Sequence, residues 1–317
     1  KLPFLVLSEL AVTLRLLVSR RYRLVNAHWI VPQGFVGAVA GILTRTPLVV
    51  TVHGGDVFDL KGRALTAVKR WSLRRAAAVT VNSSATRKAA ETLAPLADIH
   101  TLPMGITIAG DPGDSSNRVA ATHRVGNGPL VLFVGRLVVE KGVDDLLRAV
   151  AEVRGTLPDV RLVVAGTGQD QAKLEQLASQ LGVADLATFT GWIQPSDVPG
   201  YMAAADVFVG PSKSSATGWR EGLGLVFLEA MAVGTPVIAS RSGGIPDIVR
   251  DEETGLLVDE ESPQQIAAAI IRLHNDPDLG ARLTAAGADL VHRSYTRQAA
   301  AAGFAELFDS VSGGSPE

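Results

Sequence analysis

The chain has 317 residues, no cysteine, and 30 lysines and arginines against 32 acids, a formal net charge of −2. That near balance removes any bulk electrostatic case for nucleic acid, and the lack of cysteine excludes disulfides and thiolate-ligated metal. With 47% hydrophobic and 20% charged residues, the length suffices for two domains with cores of their own, and no uninterrupted apolar run is long enough to span a membrane.

Residues 1–19 are rich in leucine, but Ser8, Glu9 and Arg15 break the run. Leu7, Leu10, Leu14, Leu17 and Val18 recur on one side of a helix. This predicts a helix that is neither a signal peptide nor an anchor, and a cytoplasmic location. Strands are predicted at Leu24–Trp29, Leu48–His53, Ala78–Asn82 and Ile99–Pro103, with helices between them. Their near-continuous apolar character belongs to a parallel sheet covered on both faces. His28-Trp29 and His53-Gly54-Gly55-Asp56 stand at strand ends. His28, with Pro32-Gln33-Gly34 after it, reads as acceptor-side or structural. A basic helix carries Lys61, Arg63, Lys69, Arg70, Arg74 and Arg75, with Leu65, Val68, Trp71 and Leu73 between. It is either a solvated helix with its apolar side on the sheet, or a surface for peripheral contact with an anionic membrane at its inner face.

Residues 106–129 are rich in Gly, Asp, Ser and Asn with little periodicity, and read as a linker. The alternation of strands and helices then resumes from Leu130 to about Val258. Helices follow at Pro263–His274, Asp278–His292 and Thr296–Val311, and Ser312–Glu317 reads as a disordered tail.

The strand Leu130–Val134 runs into Gly135-Arg136-Leu137-Val138-Val139-Glu140-Lys141-Gly142. A glycine turn at a strand end suits a diphosphate, with Arg136 a planar fork of donors and Lys141 a point charge five residues on. Such pairs are often solvated surface cations, but ligands of open α/β sheets bind beyond the strand carboxyl ends. Ala165-Gly166-Thr167-Gly168 is a weaker signal, a tight turn or a nucleotide loop, because Gln171 stands where the dinucleotide fingerprint needs Gly or Ala. Gly191-Trp192 closes Ala187–Thr190, and Trp192 taken by itself reads as a half-buried anchor. Pro211-Ser212 opens a loop that ends at Arg220-Glu221.

Glu221 and Glu229 then frame Gly222, Leu223, Gly224 and an apolar run. An unpaired buried carboxylate costs on the order of several kcal/mol. The segment is therefore either amphipathic with both acids in water, or the acids meet something polar in a cleft. Apolar residues at 225–228, 230, 231 and 233 leave little room for a solvated face, which favours the cleft. Gly222 and Gly224 would open a helix whose first amides lie bare for an anion. Asp276-Pro277-Asp278 imitates a metal-binding pair but lies between two helices, and reads as a turn with an N-cap.

The Glu221–Glu229 stretch and the Gly135–Gly142 loop together resemble the signature of family 4 retaining glycosyltransferases, which have the GT-B fold; Leu223 takes the place of the usual Phe. His53-Gly54 is similar to the family's His-Gly loop, Gly191-Trp192 to its base-binding turn, and Gly243-Gly244-Ile245-Pro246-Asp247 matches in spacing. The resemblance implies an α/β protein of two Rossmann-like domains facing a cleft. Residues 1–110 would be a partial N-terminal acceptor-side domain, 111–129 a linker and 130–293 the nucleotide-sugar-binding domain. Residues 294–311 would be a helix crossing back to the first domain, and 312–317 a tail. The family's opening strand and glycine-rich loop have no counterpart here, so the first domain is expected to be incomplete.

The implied reaction moves a sugar from a UDP- or GDP-linked donor to an unidentified acceptor in glycan or glycolipid synthesis, with no metal or other cofactor. Glu221, Arg136, Lys141 and His53 are the implied catalytic set. Glu221 would orient the sugar hydroxyls and His53 would lie near the donor sugar. Arg136, Lys141 and the amides at Gly222–Leu225 would stabilise the departing diphosphate. Glu229 would accept from the ribose, and Gly135, Gly166, Gly168, Trp192, Gly222, Leu223, Gly224, Leu225 and Val226 would complete the donor site. Two alternatives stand beside this: a non-catalytic nucleotide-sugar-binding fragment and a GT-B-fold nucleotide-sugar epimerase.

Overall fold

The computed structural model describes residues 2–20, 22–58, 62–110, 112–216 and 218–313. The chain forms two compact units, one of residues 1–105, 216–222 and 297–317, the other of 106–215 and 223–296.

In the first unit the elements alternate: α1 (Leu2–Ser19), β1 (Val25–His28), α2 (Phe35–Thr44), β2 (Leu48–Val52), α3 (Gly55–Phe58), α4 (Arg63–Arg75), β3 (Ala78–Val81), α5 (Ser84–Leu93) and β4 (Ile99–Thr101). The four strands pair in chain order and in parallel. β2 and β3 are buried at every position, which is why they read as unbroken apolar runs. Val50, Val52, Val79 and Val81 pack with Ile30, Leu73 and Ala90. Ser83 caps α5: its hydroxyl accepts from the Thr86 N–H at 3.2 Å while Thr86 Oγ1 accepts from the Ser83 N–H at 3.0 Å.

Two expectations change here. Leu10, Leu14 and Leu17 of α1 are half-buried, but Leu7 and Val18 are 65% and 80% exposed, so the stripe is not one-sided. In α4, Leu73 and Trp71 pack on the core of the first sheet, as a solvated helix with an apolar side would, but Lys69, expected in solvent, is buried; Lys61 lies outside the described residues.

The second unit contains α6 (Gly113–His123), β5 (Leu130–Val134), α7 (Val143–Val153), β6 (Arg161–Ala165), α8 (Gln171–Gln180), β7 (Ala187–Gly191), α9 (Val198–Ala204), β8 (Val207–Gly210), α10 (Leu225–Ala232), β9 (Val237–Ser240), β10 (Leu256–Val258), α11 (Pro263–Asn275) and α12 (Pro277–Ser294). Its six parallel strands lie in the order β7-β6-β5-β8-β9-β10. This is the doubly wound order, in which the winding reverses at the first strand. The reversal falls between β5 and β8, where Val131 and Leu132 pair with Val207 and Phe208.

Alternate strand residues feed two cores, as the period of two requires. Val131, Val164 and Val209 pack with Leu146, Leu147 and Ile270. Leu132, Val163 and Phe208 pack with Phe227, Leu228 and Met231. On α7 the buried residues Val143, Leu146, Leu147, Val150 and Val153 follow helical spacing. Asp276 caps α12, accepting from the Leu279 N–H at 2.9 Å with Pro277 in the first turn. Asp276-Pro277-Asp278 is therefore a turn and a cap, as its place between helices suggested.

Within the stretch read as a linker, residues 113–123 form α6, which packs on α9. None of its residues is fully buried, and Val119 and Ala120 are the apolar residues it packs on the core. The closing helix, α13 (Arg297–Val311), belongs to the first unit, where Leu307 packs against Val49 and Ala78. Residues 314–317 of the expected tail lie outside the described residues.

Candidate active site

In the second unit the loops leaving β5, β6, β7 and β8 are laced by backbone hydrogen bonds. Gly135 N–H donates to Ala165 O at 3.0 Å, Leu137 N–H to Thr167 O at 2.9 Å, Gly166 N–H to Gly191 O at 2.8 Å, and Lys213 N–H to Glu140 O at 2.8 Å. Side chains are excluded from this lacing. A Cβ on Gly166 would stand 1.9 Å from Gly135 O, and one on Gly168 2.1 Å from Leu137 O. Gly142, at φ 68°, would place a Cβ 1.9 Å from Pro211 O. That last contact joins the loops after β5 and β8, at the strand-order reversal where open α/β sheets hold their ligands. Arg136 is exposed and Lys141 half-buried, both on the β5 loop. Trp192, just after β7, is 62% exposed, so the half-buried anchor reading fails.

α10 begins at Leu225 behind Gly224, which sits at φ 86°, and no side chain caps the helix. The N-cap position is thus a glycine, which offers no side-chain acceptor to the first N–H groups of the helix. Leu223 is buried, whereas Leu225 and Val226 are half-buried. Gly210 and Gly224 make room for the Phe227 ring, which a Cβ on either would approach to 2.3 or 2.8 Å, and Phe208 meets that ring edge-on at 5.5 Å. Glu229 lies on the exposed side of α10, yet the protein around it strips enough hydration to raise its carboxyl above the ordinary glutamate range.

Glu221 and Gly222 lie before this helix and belong to the first unit. The two acids therefore do not share a helix face. Gly222 rests on the end of β2: a Cβ there would stand 2.7 Å from His53 O, and one on Gly54 3.2 Å from the Gly222 Cα.

At that strand end, Asp56 is fully buried. Its Oδ1 accepts from the N–H groups of His53 (3.1 Å) and Gly54 (3.0 Å), and its Oδ2 from that of Ile30 (3.1 Å). Burial raises its carboxyl, partly offset by these three bonds. His53 is lowered by burial and by His28, with Asp56 pulling the other way. His28 Nδ1 lies 2.9 Å from His53 Nε2.

Sequence reasoning missed a second group of residues. Lys213 Nζ donates to both oxygens of Asp144 (2.9 and 3.0 Å) and to Asp145 Oδ2 (3.0 Å), while Arg148 donates to the same two acids at 2.9 and 3.1 Å. Burial works against charge here, but the paired groups outweigh it: Asp144 is lowered and Lys213 raised. Ser214 is held next to it, its N–H and hydroxyl both donating to Glu260 at 2.9 Å. Adjacent acids in a first helical turn with an arginine three and four residues on were visible in the sequence; their long-range partner was not.

Two parallel α/β units, one of them with glycine-laced loops at its doubly wound switch point, are the architecture of the GT-B fold. The chain belongs to the glycosyl transferases group 1, whose family profile matches residues 116–289, and a glycosyl transferase 4-like domain matches residues 2–105. It is 37% identical over 286 residues to the GDP-mannose-dependent alpha-(1-6)-phosphatidylinositol monomannoside mannosyltransferase of Mycolicibacterium smegmatis, covering 85% of this chain and 74% of that protein. It is also 37% identical over 289 residues to the D-inositol 3-phosphate glycosyltransferase of Acidothermus cellulolyticus, covering 83% and 61%. Among solved structures it is similar to Anabaena HepE in complex with UDP-glucose, with 25% identity, a TM-score of 0.80 and coverage of 95% and 82%. Sucrose-phosphate synthase from Thermosynechococcus elongatus has 27% identity, a TM-score of 0.75 and coverage of 92% and 74%. The chain is thus a nucleotide-sugar-dependent glycosyltransferase.

Proposed function

We propose that this enzyme is a retaining mannosyltransferase that takes mannose from GDP-mannose and passes it to a hydroxyl of an inositol-bearing phospholipid. The carrying observation is the glycine-laced floor at the switch point, where Gly142 meets Pro211 O and Gly166 meets Gly135 O. Such a floor admits a ligand against bare backbone, and Arg136 and Lys141 stand on the loop that forms it. The donor and acceptor chemistry is taken from the mycobacterial relatives, at 35–37% identity.

In this reading the departing GDP carries the developing negative charge. Arg136, Lys141 and the uncapped N–H groups of α10 stabilise it, so the reaction needs no metal. Gly135, Gly166 and Gly168 floor the diphosphate, and the backbone beside Trp192 faces the base. Glu229 accepts from the ribose, Glu221 orients the mannose hydroxyls, and His53 donates to the sugar.

No helix among the described residues is long and apolar enough to cross a membrane. A phospholipid acceptor would bring the enzyme to the bilayer surface as a peripheral protein, with the exposed Arg63, Arg70, Arg74 and Arg75 of α4 facing anionic headgroups. The test is a transfer assay with radiolabelled GDP-mannose and UDP-glucose on vesicles containing phosphatidylinositol, with and without EDTA. Label should enter lipid from GDP-mannose in both conditions. Transfer from UDP-glucose alone would overturn the donor assignment, and loss of transfer in EDTA the metal-free mechanism.

A further inference from the structure

A line of polar side chains leads from the core of the first sheet out to His53. Strand register builds it. β1 sets His28 opposite Thr51, and β2 sets Thr51 opposite Thr80. Asn26 and His28 then share one face of their strand, being two residues apart. Thr80, fully buried, donates its hydroxyl proton to Thr51 Oγ1 at 2.9 Å. Thr51, nearly as buried, donates in turn to Asn26 Oδ1 at 3.0 Å. Asn26 Nδ2 lies 3.3 Å from His28 Nε2, and His28 Nδ1 lies 2.9 Å from His53 Nε2. The two imidazole planes are 18° apart with centroids at 5.1 Å.

The buried inner end decides the direction of every bond. Once Thr51 has accepted from Thr80, its own proton goes to the Asn26 carbonyl oxygen. That turns the Asn26 amino group, which can only donate, toward His28 Nε2. His28 Nε2 must then be bare, and its proton sits on Nδ1, where it is donated to His53 Nε2. His53 Nε2 is bare in consequence, and Nδ1 carries the proton of the neutral ring. Which ring nitrogen of a histidine is protonated is set by the bond the other one makes. The position of the hydrogens follows here from the network of donors and acceptors.

We propose that Asn26 and His28 are positioning residues for His53, holding it in the Nδ1–H tautomer so that Nδ1 is the ring's one hydrogen-bond donor. The inference rests on the reading that His53 acts in the sugar-transfer site. A neutral histidine in water favours the opposite, Nε2–H form, so the line works against an intrinsic preference. From the other side, the buried Asp56 fixes the backbone that carries the ring, accepting from the His53 and Gly54 N–H groups.

The test is nitrogen-15 NMR of the full chain labelled at its six histidines, with His53→Gln used to assign the His53 signals. At a pH where the rings are neutral, His53 should show a protonated Nδ1 and a bare Nε2. His28→Phe keeps a ring beside His53 but removes its donor, and Asn26→Leu removes the amide that orients His28. Both should shift His53 toward the Nε2–H form. Both should also lower kcat by roughly ten- to a hundredfold, the usual cost of removing a supporting hydrogen-bond partner, with donor KM little changed. A wild-type His53 protonated on Nε2, or a His53 tautomer unmoved in both variants, overturns the proposal. If the tautomer behaves as expected but His53→Gln transfers sugar at the wild-type rate, the positioning line stands. The assignment of His53 to the site then falls.

Discussion

Glu221 and Glu229 are eight positions apart, yet one belongs to the first unit and the other to α10 of the second. Their roles should separate accordingly. Calorimetry with GDP should show weakened binding for Glu229→Ala and near-normal binding for Glu221→Ala, whose defect should appear in turnover of the nucleotide-sugar. If Glu221→Ala is the variant that loses GDP, the assignment of the two acids is reversed. Arg136→Ala and Lys141→Ala should each slow transfer by roughly 10²–10³-fold, the common cost of one lost transition-state donor; unchanged kinetics in both folded variants would remove the diphosphate assignment. His53 carries a pH signature. Burial holds its folded pKa below the ordinary histidine value. Between those two values the unfolded chain binds more protons than the folded one, so stability is lost as pH falls through that window and is level above it. His123 shifts the same way, so the clean measurement is the difference between wild type and His53→Gln in denaturant unfolding across pH 5 to 8. A parallel slope in both proteins would show that His53 is not held neutral by its surroundings.

At the scale of elements, the loop after β8 is fixed by charge. Lys213 is nearly buried and faces Asp144 and Asp145 at the start of α7. Removing one partner of a buried pair leaves an uncompensated charge, at a cost of about 3–5 kcal/mol. Because Arg148 still contacts both acids, Lys213→Met should fall at the low end, about 3 kcal/mol, measured as a lower denaturant midpoint. An unchanged midpoint would mean that the network contributes nothing to holding the loop. The strands were readable in sequence because burial on both faces makes every residue of β2, β3 and β8 apolar or small. α6 was not, because it meets the core with little more than the half-buried Val119 and Ala120, too few apolar residues to set a period. The Lys213 pairing was not readable either, since it spans 69 positions to Asp144 and local pattern says nothing about which distant acid a lysine meets.

At the scale of the molecule, the doubly wound order of the second sheet places β5 beside β8 and so brings the Gly135–Gly142 loop to Pro211. A nucleotide held there stabilises the folded state by mass action. At a hundredfold excess of GDP over its Kd the gain is about 2.7 kcal/mol. Hydrogen exchange should report that protection at the amides of residues 135–142 and 166–168; protection confined to residues 1–105 would place the nucleotide elsewhere.

Much of this enzyme was determined by the sequence alone. Strand periods, the glycine loops, the spacing of Glu221 and Glu229, and the Asp276 cap are local, because backbone geometry and burial leave their mark within a few residues. Only the tertiary structure decided what depends on register and strand order. It set Gly142 against Pro211 O, kept Glu221 off the α10 helix, and joined Lys213 to Asp144 and Asp145. It also aligned Thr80, Thr51, Asn26 and His28 behind His53. A hydrogen bond or a close backbone approach is a fact about distance in space. Residues 26, 28, 51, 53 and 80 are brought into one bonded line only when three parallel strands have chosen their register.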